Sequence, residues 1–315
     1  FVCEICNAQV AEEPECICDT KCTEEEPNAD CPVCGGENGD ISGCVGAAMM
    51  LAPMGAGAIT PTKPEGNGTE ENPYQIGTVD ELYWFAGLVN GDESVISKDI
   101  PQNTGACAVL TKNITINENV LDENGSLNEE NSDNFEPWMP IGSDVSNAYV
   151  GTFDGNGHTI SGLYVDSDAQ YVGLFGCVGR NGKIQNVGVV DSYISATGNE
   201  SIVGGVCGHN YEGTIENCYN TGTVTGSGIN VGGVCGGNSW NIINCYNTGK
   251  VSTTDDRACV GGVCGYNTKN IKNCYNTGKI SVTIDRSYVG GVCGMNFGGI
   301  NNCYFLTGTA DKGIG

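Results

Sequence analysis

The second half of this 315-residue chain repeats itself, and that constrains its fold more than anything else in the sequence. VGGVCG stands at 203–208, 231–236, 260–265 and 289–294. NCY stands at 217–219, 244–246, 273–275 and 302–304, and its first three copies run on into NTG at 220–222, 247–249 and 276–278. Successive copies are spaced by 28, 29 and 29 residues for the first element and by 27, 29 and 29 for the second. A degenerate copy reads YVGLFGCVGRNGKIQNVGVV at 171–190, preceded by YVGTFDGNGHTISGLYV at 149–165. A fixed period of this length is the mark of a solenoid, whose units bury their apolar faces only by stacking on one another.

Each unit offers three short β-prone pieces: VGGVCG, an Ile followed by NCY, and a Val- or Ile-centred piece such as 279–283. Glycines and the NTG triplet separate them, residues that accept turns and positive φ. Stacked in register at roughly 4.8 Å per coil, such units form a continuous core. The pattern predicts one ladder of Val203, Val231, Val260 and Val289, and another of Ile215, Ile242, Ile271 and Ile300. Asn220, Asn247 and Asn276 are expected to hydrogen-bond along the axis at a corner. An α-helical solenoid is disfavoured, because the glycines of each VGGVCG would cost about 1 kcal/mol apiece in a helix. The expected fold is all-β, a right-handed parallel β-helix of about six coils from 149 to 315, roughly 29 Å long.

Ahead of the repeats, composition divides the chain into a cysteine-rich acidic module at 1–46, a linker at 47–68, and an N-terminal cap of the β-helix at 69–148. In the cap, Thr78 and Glu81 form a capping box, and Leu82, Phe85, Ala86 and Val89 share one helical face that Asn90 and Gly91 bring to a stop. A short helix here would cover the exposed end of the first coil. A strand is expected at 107–116, followed by an acidic, Asn-rich surface loop at 117–136. Residues 1–148 carry 27 acids against 4 lysines, and 149–315 carry 11 acids against 9 bases. So acidic a half disfavours nucleic acid and anionic membranes and suits solubility outside a cell. The longest apolar run, near 47–52, is too short to span a bilayer, so no membrane insertion is expected. With no charged leader before an apolar stretch and no wall-anchor motif near Gly315, the expectation is a processed piece of something longer that carries further domains.

VGGVCGxN followed by an Ile, NCYNTG and a Val resembles the GLUG-type repeat of bacterial surface proteins of Gram-positive anaerobes, which is also found in IgA-specific metallopeptidases. Residues 68–89 and GTFDGNGHTISGL at 151–163 look like the entry region placed before such repeats, and ECICDTKC with CPVC resembles cysteine-rich leaders on related proteins. The resemblance implies a β-helix and a cell-surface or extracellular location. It does not carry the peptidase chemistry: HExxH is absent, and the two histidines, His158 and His209, lie apart.

Other chemistry is sparsely written. Many parallel β-helices cleave polysaccharides with paired carboxylates or calcium. Asp154, Asp166, Asp168 and Asp191 are the candidates for such a cluster, set against a reading of 154–157 as a turn and the rest as exposed loops. In the first module Cys3, Cys6, Cys16, Cys18, Cys22, Cys31, Cys34 and Cys44 are disulfide candidates, with zinc spacing as the alternative. In the repeats Cys207, Cys218, Cys235, Cys245, Cys264, Cys274, Cys293 and Cys303 would bridge within a coil or stand as buried ladders, with bridging slightly favoured. No cofactor is expected, though a structural zinc or calcium is an open alternative. The binding candidates are the residues that change after each VGGVCG, expected to form one edge strip of His209, Tyr211, Trp240, Tyr266, Met295 and Phe297. Exposed aromatics in a row can stack on sugar rings or anchor a protein. The sequence therefore points to a non-enzymatic adhesin for a host or environmental glycan or protein, with a carbohydrate-active enzyme and a structural stalk as alternatives.

Overall fold

The isoleucine of each repeat sets the inner wall of the molecule. Ile184, Ile215, Ile242, Ile271 and Ile300 are parallel partners in consecutive coils, and the first four are fully buried. Side chains alternate across a strand, so their neighbours face outward. Burying each is worth about 1.5–3 kcal/mol. The computed structural model describes residues 59–283 and 288–315, and over these the chain winds as the parallel β-solenoid that the repeat predicts. Its strands stack into an eight-stranded sheet, a seven-stranded sheet and three five-stranded sheets. The predicted ladder of Val203, Val231, Val260 and Val289 is present in register. A further row, Val206, Val234, Val263 and Val292, fills the interior beside it.

A full coil has five strands where three pieces were expected. In one coil they are Ile202–Gly204, Cys207–Asn210, Thr214–Glu216, Tyr219–Asn220 and Thr223–Gly226. VGGVCG is split at its second glycine, where backbone and corner asparagine crowd in. A Cβ on Gly205 would stand 2.5 Å from Asn220 Cγ and 2.6 Å from the Gly233 carbonyl oxygen. The piece around NCY is split at its asparagine: Asn217, Asn244, Asn273 and Asn302 take φ of 54° to 55°, a left-handed conformation that Asn tolerates better than most residues.

That corner decides which way the cysteines point. Plain alternation from the inward Ile215 would send Cys218 outward. The left-handed turn at Asn217 resets the phase, so Cys218 is fully buried and Tyr219 faces out. Beyond it, the expected asparagine ladder is in place: Asn220 Nδ2 donates to Asn247 Oδ1, and Asn247 Nδ2 to Asn276 Oδ1, each at 2.9 Å. A second ladder runs through the buried Asn210, Asn238 and Asn267 to the half-buried Asn296, with amide contacts of 2.8, 2.7 and 2.7 Å. Both ladders use asparagine because its donor and acceptor together bridge neighbouring coils while also bonding corner backbone.

The stack begins before Tyr149. The eight-stranded sheet opens with Tyr74–Ile76 and Ala108–Leu110, so part of the expected cap is itself coil. The helix Val79–Asn90 has the predicted capping box and a left-handed Gly91 at its end. Its Phe85 packs on Tyr149 and Phe153, with centroids at 6.2 and 5.9 Å, and both of those rings meet Phe175. Aromatics thus plug the first coils, and isoleucine and valine take over further along. The loop at 117–136 folds back on the solenoid rather than standing free. Thr223 Oγ1 donates to the Gly125 carbonyl at 2.7 Å, and the Leu121 amide to Asp191 at 3.2 Å. Residues 59–68, the last part of the expected linker, are bonded to the cap, with Glu65 bridging Gln75. The expected module at 1–46, with its disulfide candidates, and linker residues 47–58 lie outside the described residues.

Candidate functional site

The corner after the second strand varies from coil to coil. It takes four residues at 179–182, three at 211–213, and two at 239–240, 268–269 and 297–298. The early corners are therefore longer than the later ones. The exposed aromatics are Tyr211 on the three-residue corner and Trp240 and Phe297 on two-residue corners, with 45%, 44% and 69% of their surface open to solvent.

The expected edge strip is not one row. His209, Gly237, Tyr266 and Met295 are register partners inside the strand, whereas Tyr211, Trp240 and Phe297 sit on the corner itself. The ring contacts form two groups. Tyr171 stacks on His209 at 5.5 Å and His209 meets Tyr211 at 5.9 Å, while Tyr266 packs on Phe297 at 5.7 Å. His209, Tyr266 and Met295 are half-buried. Among the described residues, His209 Nδ1 is buried without a hydrogen-bond partner, and burial lowers the imidazole pKa. Its neighbour in the next coil is Gly237, where a Cβ would approach the ring to 3.1 Å.

Trp240 belongs to a different feature, a depression of about 580 Å³ on the outer face of the eight-stranded sheet. Corners 179–182 and 211–213 contribute Arg180, Asn181 and Glu212; the strands Lys183–Gln185 and Thr214–Glu216 contribute Lys183, Thr214 and Glu216. Two ion pairs link the coils: Lys183 Nζ to Glu216 at 3.0 Å, and Arg180 Nε more loosely to Glu212 at 3.8 Å. Trp240 is legible in the sequence as a candidate, but none of these charged residues is. Their only signal was that outward positions beside an unchanging Ile differ between copies.

A more regular outer surface also went unread. Tyr219, Tyr246, Tyr275 and Tyr304 are register partners, and the first three rings stack at 4.8 Å with interplanar angles of 1° and 4°. Beside them the left-handed asparagines form an exposed ladder through Asn186, Asn217, Asn244, Asn273 and Asn302, with amide contacts of 2.9 to 3.0 Å. Asp154 accepts from Asn186 at its end. The tyrosine kept in every NCY was the available signal. Tyr246 is stacked on both faces, which ties the coils together, while Tyr275 and Tyr304 at the end of the row are 41% and 64% exposed.

The four acids do not converge. Asp154 is held in its turn by Asn156, Gln185 and Asn186, Asp166 lies in a five-stranded sheet, Asp168 follows that strand, and Asp191 bonds the folded-back loop. Among the described residues no group of three or more His, Cys, Asp or Glu side chains could hold a metal ion. The described cysteines are free thiols. This corrects the expectation of bridges within a coil. Cys207, Cys235, Cys264 and Cys293 form one ladder in a five-stranded sheet. Cys218, Cys245, Cys274 and Cys303 form another at a different corner, each of the first three amides 3.4 Å from the next coil's Sγ. Burial pushes the Cys177 thiol up to about 12 and that of Cys259 to about 11. No helix among the described residues is long and apolar enough to cross a membrane.

Comparison with known proteins places these features. Residues 199–225, 227–252 and 256–283 each match the GLUG motif, so the chain carries GLUG repeats on a parallel β-solenoid. It is 33% identical over 156 residues, 48% of its length, to the "Putative Gly-rich membrane protein" of Evansella cellulosilytica. It is 32% identical over 169 residues, 51% of its length, to "Halomucin" of Haloquadratum walsbyi. The matches span only 15% and 2% of those relatives' own lengths. Among solved structures, the crystal structure of a "putative immunoglobulin A1 protease" from Bacteroides ovatus has a similar fold. Its TM-score is 0.53 at 22% identity, covering 77% of this chain and 78% of that one.

Proposed function

We propose that this chain is a non-enzymatic extracellular or cell-surface binding protein whose solenoid edge engages a glycan or a host or environmental protein. The observation that carries this reading is where the copies differ. Inward Val, Ile, Asn and Cys recur coil after coil, while the outward corner changes and places Tyr211, Trp240 and Phe297 in solvent. A scaffold alone has no need of exposed large aromatics at its most variable positions. The acidic first half, with 27 acids against 4 lysines, suits a protein that stays soluble outside the cell. The separation of Asp154, Asp166 and Asp191 argues against polysaccharide cleavage by paired carboxylates on this face.

The test is an array of glycans and secreted proteins, probed with the full chain and with a Tyr211→Ala/Trp240→Ala/Phe297→Ala variant checked for folding by circular dichroism. Specific binding lost by the variant supports the reading. Binding that the variant retains moves the site off this edge. An array that neither folded protein binds overturns the reading in favour of a stalk.

A further inference from the structure

We infer that the depression beside Trp240 is a binding site for a neutral, hydroxyl-rich pyranose, a short stretch of uncharged glycan; this rests on the binding function proposed above and names its ligand. Size comes first: about 580 Å³ falls within the roughly 300–1,000 Å³ of sites for small molecules. Chemistry separates glycan from protein. Trp240 is the one large apolar side chain lining the depression, and the rest of the lining is charged, polar or glycine. A protein partner needs a desolvated cluster of apolar anchors, which one indole does not make. A pyranose needs one flat aromatic face for its axial C–H groups, with donors and acceptors around it for its hydroxyls.

Charge then selects among glycans. Arg180 and Lys183 each face a carboxylate, Glu212 and Glu216, so the formal charge of the lining is zero. An acidic sugar would have to compete with a carboxylate for its base. A basic sugar would have to displace Lys183 or Arg180. A neutral diol disturbs neither pair, because each of its hydroxyls donates to a carboxylate oxygen and accepts from an ammonium or guanidinium. The Arg180–Glu212 pair is long at 3.8 Å, leaving room on both groups for such bonds.

The site is also singular. In the row of Glu216 the following coils carry Ile243, Lys272 and Asn301, and in the row of Lys183 they carry Asn241, Asn270 and Gly299. Only where the corners are long do two acids and two bases meet. The reading is therefore one site on the early coils, not a strip repeated along the solenoid.

The intrinsic fluorescence of the chain isolates it. Of the three tryptophans, Trp84 and Trp138 are 4% and 3% exposed, so Trp240 dominates any ligand-induced change in emission or quenching by iodide. The full chain would be titrated with maltotriose, cellotriose and mannotriose, and in parallel with trigalacturonate and the chitosan trimer. The inference expects at least one neutral trisaccharide to shift the emission saturably. Trp240→Ala, followed by calorimetry, should weaken that binding by about tenfold or more, an effect of about 1.4 kcal/mol. Lys183→Met should weaken it, while Leu306→Ala, at an exposed position outside both the depression and the corner edge, leaves it unchanged. Saturable binding of the charged trimers alone, or neutral binding indifferent to both Trp240→Ala and Lys183→Met, overturns the inference. So does no response to any trimer. If the array finds a protein ligand lost with Tyr211 and Phe297 while every trimer fails, the binding function stands and the sugar site falls.

Discussion

The side-chain amide of Asn220 donates to Oδ1 of Asn247 at 2.9 Å, and both residues are completely buried. Asn247 passes the pattern on to Asn276 and also bonds the Gly249 carbonyl. Removing the middle member leaves buried groups on both neighbours short of a partner, at roughly 1–3 kcal/mol for each one left unpaired. Asn247→Ala should therefore lower the urea midpoint clearly. Asn244→Gly, on the exposed left-handed ladder, should cost less than about 1 kcal/mol, since glycine accepts its φ and water replaces its bonds.

Glycine demand differs sharply between positions. A Cβ on Gly249 would lie 1.8 Å from the Gly222 carbonyl oxygen, so backbone must move in two stacked coils. Gly157 has a positive φ of 83° with nothing within 4 Å of a built Cβ. Gly157→Ala should cost only the left-handed penalty of about 1–2 kcal/mol. Gly249→Ala should cost more, about 3 kcal/mol or above, since crowding a packed interior already costs about 1–3 kcal/mol where side chains can adjust. Thermal melts of the two variants side by side check the order.

The thiols make a chemical prediction. Iodoacetamide reacts with thiolate; complete burial blocks its access, and for Cys177, Cys207, Cys245 and Cys264 burial also raises the thiol pKa. Peptide mapping after alkylation at neutral pH should find Cys177, Cys207, Cys235, Cys245 and Cys264 unlabelled in the native protein. They should be fully labelled in denaturant without any reductant. A need for reductant would mean that these cysteines are bridged in solution.

His209 should make the fold sensitive to mild acid. Burial holds its pKa below the ordinary value of about 6.5. As pH falls through that value, the unfolded chain takes up a proton that the folded chain refuses. Stability then drops until the folded imidazole itself titrates. The contribution is fully present above the unfolded pKa and is lost below it. His209→Gln should flatten the dependence of Tm on pH between about 7 and 5. An unchanged slope would show that the group does not control it.

The fold was legible because stacked coils force identity at inward positions: Val203, Ile215 and Asn220 could each be placed in a ladder from spacing alone. The orientation of Cys218 and Tyr219 was not legible. It depends on a single left-handed residue, Asn217, and an Asn before a Cys reads equally well as strand or corner. The aromatic strip failed for a related reason. Tyr211 and Phe297 stand three residues after the last glycine of VGGVCG, Trp240 four, and Tyr266 and Met295 one, so they occupy different positions along the coil and do not share a row. The charged lining around Trp240 was invisible for the opposite reason to the core. It is built from residues that do not recur, and periodicity reveals only what does.

The shortening corners have a genetic consequence. Everything that shapes the depression lies at or before Trp240, while the ladders continue beyond it in the same registers. Unequal exchange between copies of the repeat, gaining or losing the 29 residues that separate Asn247 from Asn276, would keep every ladder intact and change only the number of coils. A lineage can thus lengthen or shorten this protein by recombination without touching the depression beside Trp240.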